Sequence, residues 1–130
     1  MKIAMVDLHG QYERIREEIN NAILDSTAFI NGPQVKTFAQ HLAEYNQVEH
    51  VIPCANGTDA LQIALMALGL QPGDEVIVPV HTYVATAEVI ALLRLEPIFV
   101  DCVADRFKID VTKIEEKITS RTKAIVPVHL

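Results

Sequence analysis

Four short runs dominated by apolar residues, at positions 51–54, 75–79, 97–100 and 123–128, constrain this chain more than any other feature. Each is strand-length, and none alternates cleanly between apolar and polar residues, so both faces of each strand are expected to be covered. Helix-length stretches separate them. Residues 60–68 are almost wholly apolar and read as a buried helix, closed by Gly69 and the Pro72-Gly73-Asp74 turn. Residues 82–93 form the next helix, and Asp110 caps a short one carrying Ile114 and Ile118. Regular alternation of buried strands with helices predicts a three-layer α/β/α domain around a mostly parallel sheet.

The first 48 residues have a different character. Tyr12, Ile15, Ile19, Ala22 and Ile23 fall at helical spacing among charged residues, and that helix ends near Asp25-Ser26-Thr27. After a loop, Pro33 suits the first position of a second helix, with Val35, Phe38, Leu42 and Tyr45 on one face. The expected organisation is an N-terminal helical segment at 1–48 and a sheet-bearing domain at 49–130.

Seventeen acidic residues against eleven basic ones leave a formal charge of −6, with no Lys/Arg stripe. That balance argues against nucleic acid and anionic membranes as partners. No apolar run reaches the length of a membrane span, and the start of the chain lacks the pattern of an export signal. Cys54 and Cys102 then read as reduced, structural thiols of a soluble cytoplasmic protein. The five histidines share no ligand spacing with the cysteines, so no metal site is expected.

Two segments carry chemistry. In Asn56-Gly57-Thr58-Asp59, a glycine stands between a strand end and a helix start. It lets a ligand approach the backbone, where the free N–H groups of the first helical turn and the helix dipole favour phosphate. Thr58 adds a hydroxyl donor. The alternative is that Asn56 or Thr58 merely caps the helix. In His81-Thr82-Tyr83-Val84-Ala85-Thr86, the residues follow a strand at the edge where open parallel sheets bind ligands. Tyr83 there either lies flat on a cofactor ring or packs into the core with its hydroxyl satisfied, while His81 and Thr82 line the pocket.

The motifs, taken in order, resemble the DegT/DnrJ/EryC1/StrS aminotransferases, a branch of the fold type I, aspartate-aminotransferase-like enzymes. They are Val6-Asp7-Leu8, Phe29-Ile30-Asn31-Gly32-Pro33, Asn56-Gly57-Thr58-Asp59-Ala60-Leu61 and Gly73-Asp74-Glu75-Val76-Ile77-Val78-Pro79. Thr82-Tyr83-Val84-Ala85-Thr86-Ala87, Pro97-Ile98-Phe99-Val100-Asp101, Ile109-Asp110 and the run from Arg121 to Leu130 complete the series. The resemblance implies that 49–130 is the N-terminal part of the large pyridoxal-phosphate-binding domain. It implies that Asn56, Gly57 and Thr58 bind the phosphate of pyridoxal 5′-phosphate and that Tyr83 stacks on its ring. Phe29, Asn31, Gly32, His81 and Thr86 would lie near the substrate mouth and dimer interface.

The implied activity is transfer of an amino group, from glutamate, to a nucleotide-diphosphate-linked keto-sugar, serving cell-surface polysaccharide or related sugar synthesis in a homodimeric enzyme. The Thr-Tyr-Val-Ala-Thr segment is similar to that of enzymes acting at a 3-keto position. No lysine here matches the family's Schiff-base position, so the chain alone holds no catalytic residue and is expected to be inactive. A dehydratase of the same family, or a truncated fragment, are the alternatives. Arg94-Leu95 departs from the family's usual Gly-Ala and affects a helix end.

Overall fold

A computed structural model describes residues 5–129; Lys2 and Leu130, the last residue of the family motif, lie outside them. The chain divides into two compact units, Met1–Pro53 and Cys54–Leu130, so Val51, Ile52 and Pro53 belong with the helical part. Among the described residues, no helix is long and apolar enough to cross a membrane.

In the first unit, α1 runs over Leu8–Ile19, with the Asp7 carboxylate accepting from the Gly10 amide as its cap. It widens into a π-helical turn at Asn20–Asp25 and ends at Ser26, whose hydroxyl donates to the Ala22 carbonyl at 2.7 Å. The second helix, α2, covers Pro33–Asn46 with Pro33 in its first turn, as the missing N–H of proline permits. Val35, Ala39, Leu42 and Ala43 form its partly covered side. Phe38 and Tyr45, expected on that face, are exposed.

The second unit opens with α3, Gly57–Ala67. Next come β1 at Glu75–Pro79, α4 at Val84–Leu92, β2 at Glu96–Val100 and β3 at Thr122–Ile125. The strands lie in the order β2-β1-β3 and both pairings are parallel. From β1 the chain steps to one side for β2 and then back across β1 for β3. Right-handed connections therefore place α4 on one face and the 101–121 crossing on the other. The α4 face holds the core: Val76 and Val78 pack with Val89, Ile90, Leu95 and Leu65 of α3. Ile77 is fully buried without belonging to that cluster, as a residue on the opposite face should be. The crossing carries two 3₁₀ turns, Val111–Lys113 and Glu115–Lys117, in place of the expected single helix; Asp110 caps the first.

Two expectations fail. Residues 51–54 form no strand. A strand exists only with a neighbour's backbone to bond, and residues 51–54 enter neither of the two ladders, β1–β2 and β1–β3. The second failure is the apolar helix, which is not buried: in α3 only Leu65 is, while Ile63 and Met66, together with Leu68 just past its end, face outward. Composition marks a helix that wants covering all round, but α3 packs only one side, through Leu61 and Leu65, against the cluster that α4 shares with β1.

Both helices end in a left-handed residue. Past α3 this is Gly69, at φ +68°; past α4 it is Arg94, at φ +60°. A side chain in this region costs about 1–2 kcal/mol. The bonds from the Arg94 amide to the Ala91 carbonyl at 2.9 Å and from Leu95 to Ile90 at 3.0 Å hold it there. This is the structural content of the departure from the family's glycine.

At the start of β1 sits Glu75, its side chain only 2% exposed. Its carboxylate accepts from Thr119 Oγ1 at 2.6 Å and Thr122 Oγ1 at 3.1 Å, and meets the Arg121 guanidinium at 2.6 Å. The Thr119 bond, opposed by desolvation and helped by Thr122 and Arg121, holds its pKa below the ordinary 4.5. A lowered carboxyl pKa stabilises the fold above the unfolded-state value, and that contribution is lost as pH falls through the folded one. In urea unfolding of this chain, the midpoint should fall less steeply below about pH 5 in Glu75→Gln than in the parent. Identical slopes would mean that the clasp is not formed in solution.

Candidate functional site

Two helix starts share one edge of the sheet. The C-terminus of α3 leads through the Pro72-Gly73 turn into the start of β1, so its N-terminus lies at the opposite edge, where β1 ends and α4 begins. That is the carboxyl edge of the parallel strands, the side on which sheets of this class bind ligands.

At the first start, Asn56 is the cap of α3. Its Oδ1 accepts from the Asp59 amide at 2.9 Å, and its Nδ2 donates to Asp59 Oδ2 at 3.1 Å. Both ends of Asn56 are thus engaged by the helix, one Nδ2 hydrogen and one Oδ1 lone pair remaining. The Ala60 amide bonds to the Asn56 carbonyl at 3.1 Å. Among the described residues, the amides of Gly57 and Thr58 find no acceptor, and neither does the Thr58 hydroxyl. Gly57 has neither a left-handed backbone nor a crowded neighbourhood to require glycine: a Cβ built there would meet no atom within 4 Å. Two free amides, a hydroxyl and open space over a glycine fit a phosphate group.

At the second start, Tyr83 is the residue before α4 and is 77% exposed, which excludes the core-packed alternative. His81, also exposed, lies 5.4 Å centroid to centroid from the ring of Phe107, a partner that motif reading missed. Phe107 reaches it from a tight hairpin closed by the Cys102–Ile109 bridge, with a left-handed backbone at φ +55°. A non-glycine left-handed residue at a hairpin tip leaves no mark in composition, so nothing in the sequence pointed to it. Thr86 departs from its expected place at a substrate mouth: it is 6% exposed, and its hydroxyl pairs with that of Thr82 at 2.9 Å. Asp101, just after β2, accepts from the Cys102 amide at 2.8 Å and from Lys113, a turn-forming role.

Phe29, Asn31 and Gly32 belong to the first unit. Phe29 and Asn31 are exposed, and Asn31 has φ +50°. Gly32 is buried for a local reason, since a Cβ there would come within 2.6 Å of the Ala28 carbonyl oxygen.

Known proteins resemble this chain in sequence and in fold. The chain is 47% identical, over 98% of its length, to the UDP-2-acetamido-2-deoxy-3-oxo-D-glucuronate aminotransferase of Pseudomonas aeruginosa, and covers 36% of that protein. It is 48% identical to the UDP-N-acetyl-3-dehydro-alpha-D-glucosamine 3-aminotransferase of Acidithiobacillus ferrooxidans, with 98% of this chain and 36% of that one aligned. The crystal structure of ntda from Bacillus subtilis, with bound cofactor PMP, matches at a TM-score of 0.85 and 38% identity, covering 100% of this chain and 32% of that one. The chain therefore spans about a third of the length of these relatives. Residues 11–130 match the DegT/DnrJ/EryC1/StrS aminotransferase family, and the chain belongs to it.

Proposed function

We propose that these residues form the phosphate- and ring-holding part of a pyridoxal-phosphate aminotransferase that acts on a nucleotide-linked keto-sugar, with the amino group delivered to carbon 3. The observation that carries this reading is an open helix start at Gly57-Thr58 in the same unit as the exposed ring of Tyr83, which stands between the end of β1 and the start of α4. The two relatives named for 3-oxo and 3-dehydro UDP-sugars support the substrate class.

When bound, pyridoxal phosphate supplies a ring that accepts electron density from the carbon bearing the nitrogen. The chain's own part is binding and orientation. Gly57 and Thr58 donate to phosphate oxygens, where charge-assisted bonds outweigh neutral ones. Tyr83 covers one ring face and excludes water from it. The same reading carries glutamate as donor, a homodimer, a cytoplasmic setting and a role in surface-polysaccharide or related sugar synthesis. No lysine of this chain matches the family's Schiff-base position, so residues 1–130 alone transfer nothing.

The test is 2-oxoglutarate release from glutamate with a UDP-linked 3-keto-hexosamine, run on residues 1–130 and on a polypeptide extended to the relatives' length. The extended form should turn over and the short one should not. Turnover by the short form, or none by the extended form with any nucleotide keto-sugar, overturns the proposal.

A further inference from the structure

Tyr83 occupies the cap position of α4 without offering a capping oxygen, and no other side chain caps that helix start. Ser, Thr, Asp or Asn would stabilise the helix there. A position that forgoes its cap for an aromatic ring is one where the ring is wanted for something else. Yet the ring is largely exposed, and among the described residues its hydroxyl has no hydrogen-bond partner and it stacks on no aromatic neighbour. The backbone on either side therefore sets where the ring is rooted and which rotamers it can take.

That backbone is tied from both sides. The Thr86 amide donates to the Tyr83 carbonyl at 3.1 Å. The hydroxyls of Thr82 and Thr86 meet at 2.9 Å, and this bond spans Tyr83. Thr86 is a rigid anchor because it is buried beside Ala85, one turn ahead of Val89 and Ile90 in the core. A helical threonine usually returns its hydroxyl to a backbone carbonyl four residues back. Here the partner at that spacing is instead a side chain on the loop, so the bond fixes the loop to the helix.

We propose, resting on the functional reading above, that Thr86 is a positioning residue: through Thr82 it holds the Tyr83 segment so that the ring is already aimed at the cofactor. Pre-aiming removes the ordering cost that binding would otherwise carry. The bond uses hydroxyls only, so Thr86→Val keeps the shape and volume of the anchor while removing it, and Thr86→Ser keeps it.

The experiment is a titration of the full-length apoenzyme with pyridoxal phosphate, followed by absorbance and by the circular dichroism of the bound chromophore. Thr86→Val should weaken binding by about threefold to tenfold, the size of one neutral hydrogen bond, and reduce the dichroic band. Thr86→Ser should restore both. In a Tyr83→Ala background, Thr86→Val should add nothing, because the ring it positions is gone. Thr82→Val cuts the same bond from its half-buried end and should match Thr86→Val, which covers the case of a Thr86 variant that folds poorly. Unchanged affinity in both valine variants, or losses that add to that of Tyr83→Ala, overturns the positioning role alone. A parent enzyme that does not bind pyridoxal phosphate overturns the functional reading and this inference together.

Discussion

Thr58→Val in the full-length enzyme is expected to weaken pyridoxal phosphate binding by about 1.5–3 kcal/mol, roughly 10- to 150-fold. The substitution keeps the side chain's shape and removes one donor to a charged oxygen. The hydroxyl has no protein partner among the described residues, so its loss should leave folding almost untouched. Gly57→Val should bind still more weakly, and the structure sharpens the reason. The backbone at Gly57 is not left-handed, and a Cβ there meets no protein atom within 4 Å. Valine therefore fits the fold and blocks only what lies outside it. Tyr83→Ala should lose the ring contact, whereas Tyr83→Phe should be mild. Cofactor dissociation constants and urea midpoints for the four variants make the check. Parent-like affinity in both Thr58→Val and Tyr83→Ala would reduce the site to a helix start and an idle tyrosine.

Ile90→Ala is expected to destabilise the chain by about 2–5 kcal/mol, a large share of the about 5–15 kcal/mol available to a domain. Leu92→Ala, two residues later in the same helix, should change stability by no more than about 0.5 kcal/mol. The residues have similar hydropathy and the same number of heavy atoms. What separates them is burial: Ile90 is fully enclosed against Val76 and Val78, and Leu92 is 62% exposed. Urea unfolding of the two variants decides the matter, and equal losses would mean that α4 sits in another rotation on the sheet.

That pair shows where reading the sequence stops. The strand at Glu75–Pro79 was legible residue for residue, since it is a short apolar run leaving a Pro-Gly-Asp turn and is buried on both faces. The expected 97–100 strand lies within β2, and the expected 123–128 strand overlaps β3, whose ladder starts one residue earlier and stops sooner. Periodicity says nothing about which side of an apolar helix is covered, so α3 looked buried and is not. It equally cannot supply a partner for residues 51–54. In the site, the glycine at a helix start announced an open backbone. Whether Asn56 or Thr58 would cap that helix depended on side-chain direction, which only coordinates show. The clasp on Glu75 joins residues 44 and 47 positions apart and leaves no local pattern. The Thr82–Thr86 bond is the exception, because its i, i+4 spacing is visible in the sequence.

Because all three strands run the same way, the two rims of the sheet carry separate duties. At one rim, Glu75 is clasped by Thr119, Thr122 and Arg121, and the Gly73 amide donates to the Arg94 carbonyl at 2.9 Å. At the other lie His81, Thr82 and Tyr83, on loops whose tips make few such ties. Sequence drift is therefore partitioned. On the proposed function, exchanges at residues 80–83 should alter what the protein meets, while exchanges at 73–75, 94–96 and 119–122 should alter whether it holds together. A lineage built on this sheet can try new ligands at one rim without renegotiating its stability at the other.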